Sequence, residues 1–569
     1  MNKFLLVAIN SKYIHSNLAV YCLKAATKYG NKVSIKEFTI NNRKEDIIKG
    51  IYEEKPDVIG FSCYIWNITV IKEILPELAK IMKDVRVWLG GPEVTYNAEY
   101  YVRKYSNVAG VIKGEGEQVF SDIMDCYVEN RLSDIVNVKG VVTLDGGRLI
   151  DNICPGPVDM NNIVMPYRAA GYTPEDYNNK IIYYESSRGC PFSCSYCLSS
   201  VDKRLRFKDT AAVLEDLKVF LDNKAALVKF VDRTFNCKRE HSRKILEFIR
   251  DNDNGMTCFH FEIAADLIEQ EDIEIMSGMR PGLIQLEIGV QSTNPDTIKA
   301  IHRVMDLDKL KRNVNAIHEN RNIHMHLDLI AGLPYEDYNS FKKSFNDIYA
   351  MKPDNLQLGF LKLLYGSLMR EEAEHYGIVA GEMPPYEVLY TDYLSFDEIL
   401  KLKQVENVLD MYYNSNMFAN SLQYLVGFFE NPFSMYEQLG TFYEQRYRNG
   451  SLPSRNGKFE LLYDFSYEYL NEKDMHIFSE LLRFDMYLRE NVKNLPSCFE
   501  FDKDMAAAAR NYSGDRKLTK SEHIEIFDVN PIAFSENGSI SADRTVIYFD
   551  YLNRLFDNNA KIKILEEQK

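Results

Sequence analysis

Three cysteines crowd into eight residues of the stretch "ESSRGCPFSCSYCLSS": Cys190, Cys194 and Cys197, in a CxxxCxxC spacing. Three thiolates on one tight loop can hold three irons of a 4Fe-4S cube, whereas the usual cluster takes four cysteines, so one iron is left open for a small chelating ligand. The amino and carboxylate groups of S-adenosylmethionine suit that vacancy. A zinc site completed by a histidine or another cysteine is the bland alternative, but the spacing departs from the usual CxxC pairs. Cys237 and Cys258 read as ordinary buried thiols.

These cysteines must be positioned by an alternating β/α pattern. Strands are predicted near 181–186, 226–232, 258–263, 283–290, 323–330 and 355–360, with helical stretches between them. Six such units predict a partial (β/α)6 barrel, whose chemistry sits at the carboxyl ends of the strands. The cysteine loop follows the first strand. The later strand ends are polar: Asp232 and Asn236 in "KFVDRTFN", Glu262 in "HFEIAADL", Glu287, Gln291 and Ser292 in "LEIGVQSTN", and Asp328, Gly332, Pro334 and Glu336 in "DLIAGLPYE".

Upstream, residues 1–130 alternate strand and helix, with apolar runs at 3–9, 32–38, 57–62, 86–89 and 108–112. The expectation is a doubly wound parallel α/β domain whose ligand lies beyond the strand ends. Those ends read "INSKYIHSN", "GFSCYIWN", "LGGPEVT" and "KGEGE". They hold His15, Ser62, Trp66, Gly90, Gly91 and Glu115 as candidate ligand-binding residues, the glycines permitting close backbone approach. Residues 131–180 read as a linker with a hairpin through "VVTLDGGRLI", 181–375 as the barrel, and 376–569 as a mostly helical, aromatic-rich accessory domain. Its aromatics read chiefly as core. The segment "YEQRYRNGSLPSRNGK" is a local basic exception, with Arg446, Arg448, Arg455 and Lys458.

A chain of 569 residues needs several cores, and a net charge of −15 argues against a general surface for nucleic acid or anionic membrane. The opening apolar run is too short for a signal peptide core or a membrane span, so a cytoplasmic protein is expected.

At the cysteine loop the sequence resembles the radical SAM superfamily. That resemblance implies that Tyr196 packs near the adenine and that the polar strand ends Asp232, Asn236, Glu262, Glu287, Gln291, Ser292 and Asp328 contact S-adenosylmethionine. It also implies that the reduced cluster releases a 5′-deoxyadenosyl radical from that cofactor. With such a core behind it, the first domain resembles the cobalamin-binding domain of class B radical SAM proteins, Ser62, Gly90 and Gly91 matching the positions that house the nucleotide tail. Tyr64 stands where such domains often have Leu. The motif DxHxxG is absent; "YIHSNL" keeps only His15, and Tyr13 replaces its acidic residue. The expectation is cobalamin with His15 shaping the pocket rather than binding cobalt. The resemblance implies an enzyme that methylates or rearranges an unactivated carbon, served by an external electron donor such as flavodoxin or ferredoxin. The alternatives are a radical enzyme with an empty first domain, like a methylthiotransferase, and a non-enzymatic cobalamin or redox sensor.

Overall fold

The computed structural model describes residues 3–447, 451–499, 503–512, 518–555 and 557–566. It divides into two compact units, one of residues 1–289, 296–323 and 360–392 and one of 290–295, 324–359 and 393–569.

The first unit opens with five parallel strands: β1 (Phe4–Asn10), β2 (Val33–Thr39), β3 (Val58–Ser62), β4 (Arg86–Gly90) and β5 (Val108–Ile112). The spatial order is β2-β1-β3-β4-β5, extended by the antiparallel strands β6 (Val141–Asp145) and β7 (Arg148–Asp151). The central strands β1 and β3 are apolar along nearly their whole length because helices cover both faces, whereas the edge strand β2 carries Ser34, Lys36, Glu37 and Thr39. Ile47, Ile51, Ile71, Ile74, Leu75 and Leu78 from two of those helices are fully buried against Leu5, Val7, Ile59 and Leu89. The hairpin of residues 141–151 is thus part of the first sheet, where β6 pairs with the exposed edge of β5.

The same unit contains β8 (Ile181–Tyr184), β9 (Ser187–Arg188), β10 (Arg206–Phe207), β11 (Leu227–Phe230), β12 (Cys258–Ile263) and β13 (Ile284–Gln291), the last crossing into the second unit at its end. Strands β8, β11, β12 and β13 pair in parallel in that order. One face is apolar, with Ile182, Tyr184, Val228, Phe230, Phe259, Phe261, Ile284 and Leu286 buried. The alternation of period two turns Tyr183, Lys229, His260, Glu262, Gln285 and Glu287 to the opposite face. Between residues 360 and 392 lie the short antiparallel strands β16 (Val379–Ala380) and β17 (Val388–Tyr390).

The second unit continues the β/α series with β14 (His324–Ala331), β15 (Asn355–Phe360, whose last residue falls in the first unit) and the helix Tyr338–Tyr349. All six strands predicted between 181 and 360 are present. A helical region follows, its core built on Phe433, Tyr436, Phe459, Phe465, Phe478 and Phe484. It closes with three antiparallel strands, β18 (Glu522–Phe527), β19 (Thr545–Asp550) and β20 (Lys561–Leu565), which the sequence reading did not anticipate. Arg446 and Arg455 of the basic segment pair with Asp464 and Glu490, and Arg448 lies outside the described residues. Among the described residues no helix is long and apolar enough to cross a membrane.

Candidate functional site

The cysteine loop is pinned at its base. Strands β9 and β10 pair antiparallel on either side of it, with Arg206 opposite Arg188. Gly189 between them has φ +97°, and a Cβ there would come within 2.5 Å of the Arg204 carbonyl, so only glycine fits this turn. The Cys190 and Cys194 side chains are buried and Cys197 is half-buried. Cys190 Sγ lies 3.7 Å from Thr234 Oγ1. The Ser195 amide donates to the Ile301 carbonyl at 3.0 Å, and the Ser195 carbonyl accepts from the Met369 amide at 2.8 Å.

Among the described residues no three His, Cys, Asp or Glu side chains converge closely enough to share one metal ion. A mononuclear zinc site needs such convergence, whereas a 4Fe-4S cube takes one thiolate per iron. Three unpaired thiols on a fixed loop fit the cube better.

Below the loop, Asp232 is fully buried and accepts from the Ser186 amide at 2.9 Å, Ser186 Oγ at 2.6 Å and Ser187 Oγ at 2.5 Å. Burial pushes its carboxyl up to about 6, against the pull of these serine bonds. Asn236 spends both ends of its amide on the backbone of Ala264, at 2.8 and 3.0 Å. Both residues therefore lock the strand ends that carry the site. Glu287 accepts from Lys229 Nζ at 3.0 Å and lies 2.8 Å from His260 Nε2. The His260 hydrogen bond, aided by Lys229, overcomes burial and holds its carboxyl down to about 2. Glu262, its register partner, is raised by burial instead. Two carboxylates on one face are thus shifted in opposite directions.

In the second unit, Ser292 is fully buried and donates to Glu336 Oε1 at 2.6 Å. Burial pushes Glu336 up to about 7. Gln291 has φ +76°, and its buried Oε1 has no hydrogen-bond partner among the described residues. Asp328 lies half-buried on β14, on the face it shares with His324 and His326.

At the strand ends of the first sheet, Ser62 is buried and pairs in register with Gly90. Asn17 Nδ2 donates to Asn10 Oδ1 at 3.0 Å and reaches Ser62 Oγ at 3.4 Å. Asn67 Nδ2 ties the Ile9 and Ser62 carbonyls together at 3.0 and 2.9 Å. Trp66 is 44% exposed, donates to the Ile9 carbonyl at 3.2 Å, and stacks on Tyr64 with ring centroids 4.3 Å apart. The two glycines differ. A Cβ on Gly90 would touch only Ile112, at an ordinary 3.7 Å, leaving open space beside the strand end. Gly91 has φ +116°, and a Cβ would meet the Cys63 carbonyl at 2.5 Å. An open, glycine-lined strand end bordered by an exposed indole fits a large planar ligand.

His15 Nδ1 lies 2.7 Å from Tyr183 Oη, and burial lowers the imidazole's pKa. Glu115 is spent on contacts within the protein. It takes the Val158 amide at 2.6 Å and pairs with Arg206 at 2.6 Å and Arg188 at 3.5 Å. Arg188 also holds Glu117 at 2.8 Å and Glu185 at 2.7 Å. This network bridges the loop after β5 of the first sheet to the base of the cysteine loop. Sequence reasoning missed Arg188, Arg206, Tyr183, Lys229 and Arg303, whose partners Glu117, Glu115, His15, Glu287 and Cys194 are distant in the chain.

The chain matches the B12 binding domain over residues 5–124, the radical SAM superfamily over 184–348, and a protein family of unknown function, DUF4080, over 374–549. It is 24% identical over 369 residues to the cobalamin-dependent radical SAM methyltransferase TokK of Streptomyces tokunonensis, covering 59% of this chain and 51% of that one. It is 20% identical over 343 residues to the anaerobic magnesium-protoporphyrin IX monomethyl ester cyclase of Rubrivivax gelatinosus, covering 57% and 60%. The alignments span about half to three-fifths of the length of these relatives. The fold is similar to that of the methyltransferase TsrM from Kitasatospora setae, solved with cobalamin and a 4Fe-4S cluster, with a TM-score of 0.57 at 15% identity over 82% of this chain and 100% of that one. OxsB, solved with aqua-cobalamin and S-adenosylmethionine, gives a TM-score of 0.54 at 13% identity over 86% and 79%.

Proposed function

We propose that this chain, a B12 binding domain followed by a radical SAM domain, is an enzyme that uses a 4Fe-4S cluster, S-adenosylmethionine and cobalamin to methylate or rearrange an unactivated carbon of its substrate. The observation that carries this reading is the ion-pair bridge within one compact unit. Arg188 and Arg206, at the two ends of the cysteine loop, are held by Glu115 and Glu117 at the strand ends of the first sheet. That bridge fixes the two candidate cofactor regions in one rigid frame, as joint chemistry on one substrate requires.

When bound, the cluster and S-adenosylmethionine supply a carbon-centred radical and cobalamin supplies a transferable methyl group. The protein's own residues hold and orient. Cys190, Cys194 and Cys197 ligate the cluster, and Tyr196 packs near the adenine. Gly90 leaves room for the corrin's tail beside Ser62, and Trp66 offers an apolar face. His15 has Nδ1 engaged with Tyr183 and shapes the pocket. Glu262 stands on the polar face of the strands, its carboxyl shifted upward by burial. Residues 376–569 help select the substrate. The protein acts in the cytoplasm and takes its electron from a flavodoxin or ferredoxin.

Anaerobic reconstitution tests this reading. It should load about four irons and one cobalamin per chain. Electron paramagnetic resonance of the cob(II)alamin form should lack nitrogen superhyperfine splitting. Protein that takes up iron but never cobalamin would favour the empty-domain alternative, and a splitting lost in His15→Ala would place the imidazole on cobalt.

A further inference from the structure

Residues 361–388 lie beyond the stretches that match the B12 binding and radical SAM domains, and from 374 onward they fall in the family of unknown function. Within the first unit they nevertheless touch both candidate cofactor regions. Toward the cysteine loop, the Met369 amide donates to the Ser195 carbonyl at 2.8 Å. Toward the first sheet, they reach the short helix Pro92–Thr95, which follows the Gly90–Gly91 turn, and its neighbour Tyr96. Gly366 has φ +86°, and a Cβ there would come within 2.5 Å of the Tyr96 ring. Tyr386 is buried and donates from Oη to Glu93 Oε1, the one hydrogen bond that this buried carboxyl makes among the described residues. Tyr386 is held in the left-handed region at φ +57°, which a tyrosine adopts only at a cost. Its carbonyl accepts from the Leu363 amide at 3.0 Å and its amide donates to the Met383 carbonyl at 2.9 Å, which fixes the backbone in that shape.

A carboxyl taken out of water needs a donor, and stranding it costs more than the hydrogen bond itself gains. The Tyr386 hydroxyl therefore keeps Glu93 in place. Glu93 is in turn joined to the glycine turn: its amide donates to the Cys63 carbonyl at 3.4 Å, and the Gly91 carbonyl accepts from Thr95 Oγ1 at 2.9 Å and from the Val94 amide at 3.3 Å. Helix, turn and strand end form one piece. A site already held in its bound shape loses less freedom when the ligand arrives. Resting on the assignment of cobalamin to the first domain, we propose that Tyr386 is a positioning residue for that cofactor: through Glu93 it holds the glycine turn open for the nucleotide tail, so that a segment outside the first domain completes the cobalamin pocket.

Tyr386→Phe removes the hydroxyl and keeps the ring. The full chain, reconstituted with iron under anaerobiosis, is titrated with hydroxocobalamin. The variant should bind with a dissociation constant about tenfold above that of the wild type, the order expected for a buried carboxyl left without its donor, and should carry as much iron as the wild type. Changing both partners, Tyr386→Phe with Glu93→Met, removes the stranded carboxyl and should bring the constant back close to the wild-type value. A purely structural tie would instead lower the melting temperature of the ligand-free protein and leave the constant where it was. A Tyr386→Phe constant equal to the wild type's would overturn the assignment, as would loss of iron from that variant. So would a double variant that binds no better than the single one, which would put the hydroxyl on the ligand itself. A wild type that loads iron but binds no hydroxocobalamin would sink the cobalamin reading itself, and Tyr386's role with it.

Discussion

At the residue scale, the buried carboxylates give the sharpest consequences. Asp232 holds its proton more tightly in the folded chain than in the unfolded one, because burial outweighs the serine hydrogen bonds. Its protonated form therefore adds stability below the ordinary carboxylate range, and that contribution is lost as pH rises toward about 6. Asp232→Asn should flatten the dependence of the melting temperature on pH between about 4 and 6 relative to the wild type, and an unaltered slope would show that the carboxylate is ionised in the folded state throughout. The cysteine motif was legible because its three cysteines are neighbours in the chain. Arg303 was not, since 109 residues separate it from Cys194 and nothing local marks it. Asp232 and Asn236 were legible as polar strand ends, but that their bonds run to Ser186, Ser187 and Ala264 depends on strands adjacent only after folding.

At the scale of elements, the glycine pair after β4 separates a structural role from a binding one. Gly91 is required by the chain itself, since a side chain there meets the Cys63 carbonyl in a left-handed backbone. Gly91→Val should destabilise the first domain by about 1–3 kcal/mol whether or not a ligand is bound. Gly90 faces only Ile112. Gly90→Val should leave the melting temperature of the ligand-free protein nearly unchanged and abolish cobalamin uptake, measured as bound cobalt. Retention of cobalamin by this variant would move the tail pocket elsewhere. The strands of both alternating series were readable because each is a short apolar run with its own turn signals. The pairing of β6 with β5 was not, because an edge is filled by whatever hairpin reaches it. Strands β18 to β20 escaped notice although "EHIEIF" alternates, its period-two signal being short and flanked by helical stretches.

At the scale of the whole molecule, the order of parts was legible from the change in periodicity along the chain, and the comparisons match that order with a B12 binding domain ahead of a radical SAM domain. No binding role for residues 374–549 was legible, because their aromatics are spent on the core, with Tyr412, Tyr436, Phe459 and Phe478 fully buried. The chemistry, in contrast, can be tested before any substrate is known. The most direct measurement is the release of 5′-deoxyadenosine from S-adenosylmethionine by the reduced, cobalamin-loaded protein under strict anaerobiosis, run beside a variant with Cys190, Cys194 and Cys197 all changed to Ala. The proposed function predicts 5′-deoxyadenosine from the wild type and none from the variant, which should still bind cobalamin. Equal cleavage by both, or none by a wild type carrying its full iron, would contradict it.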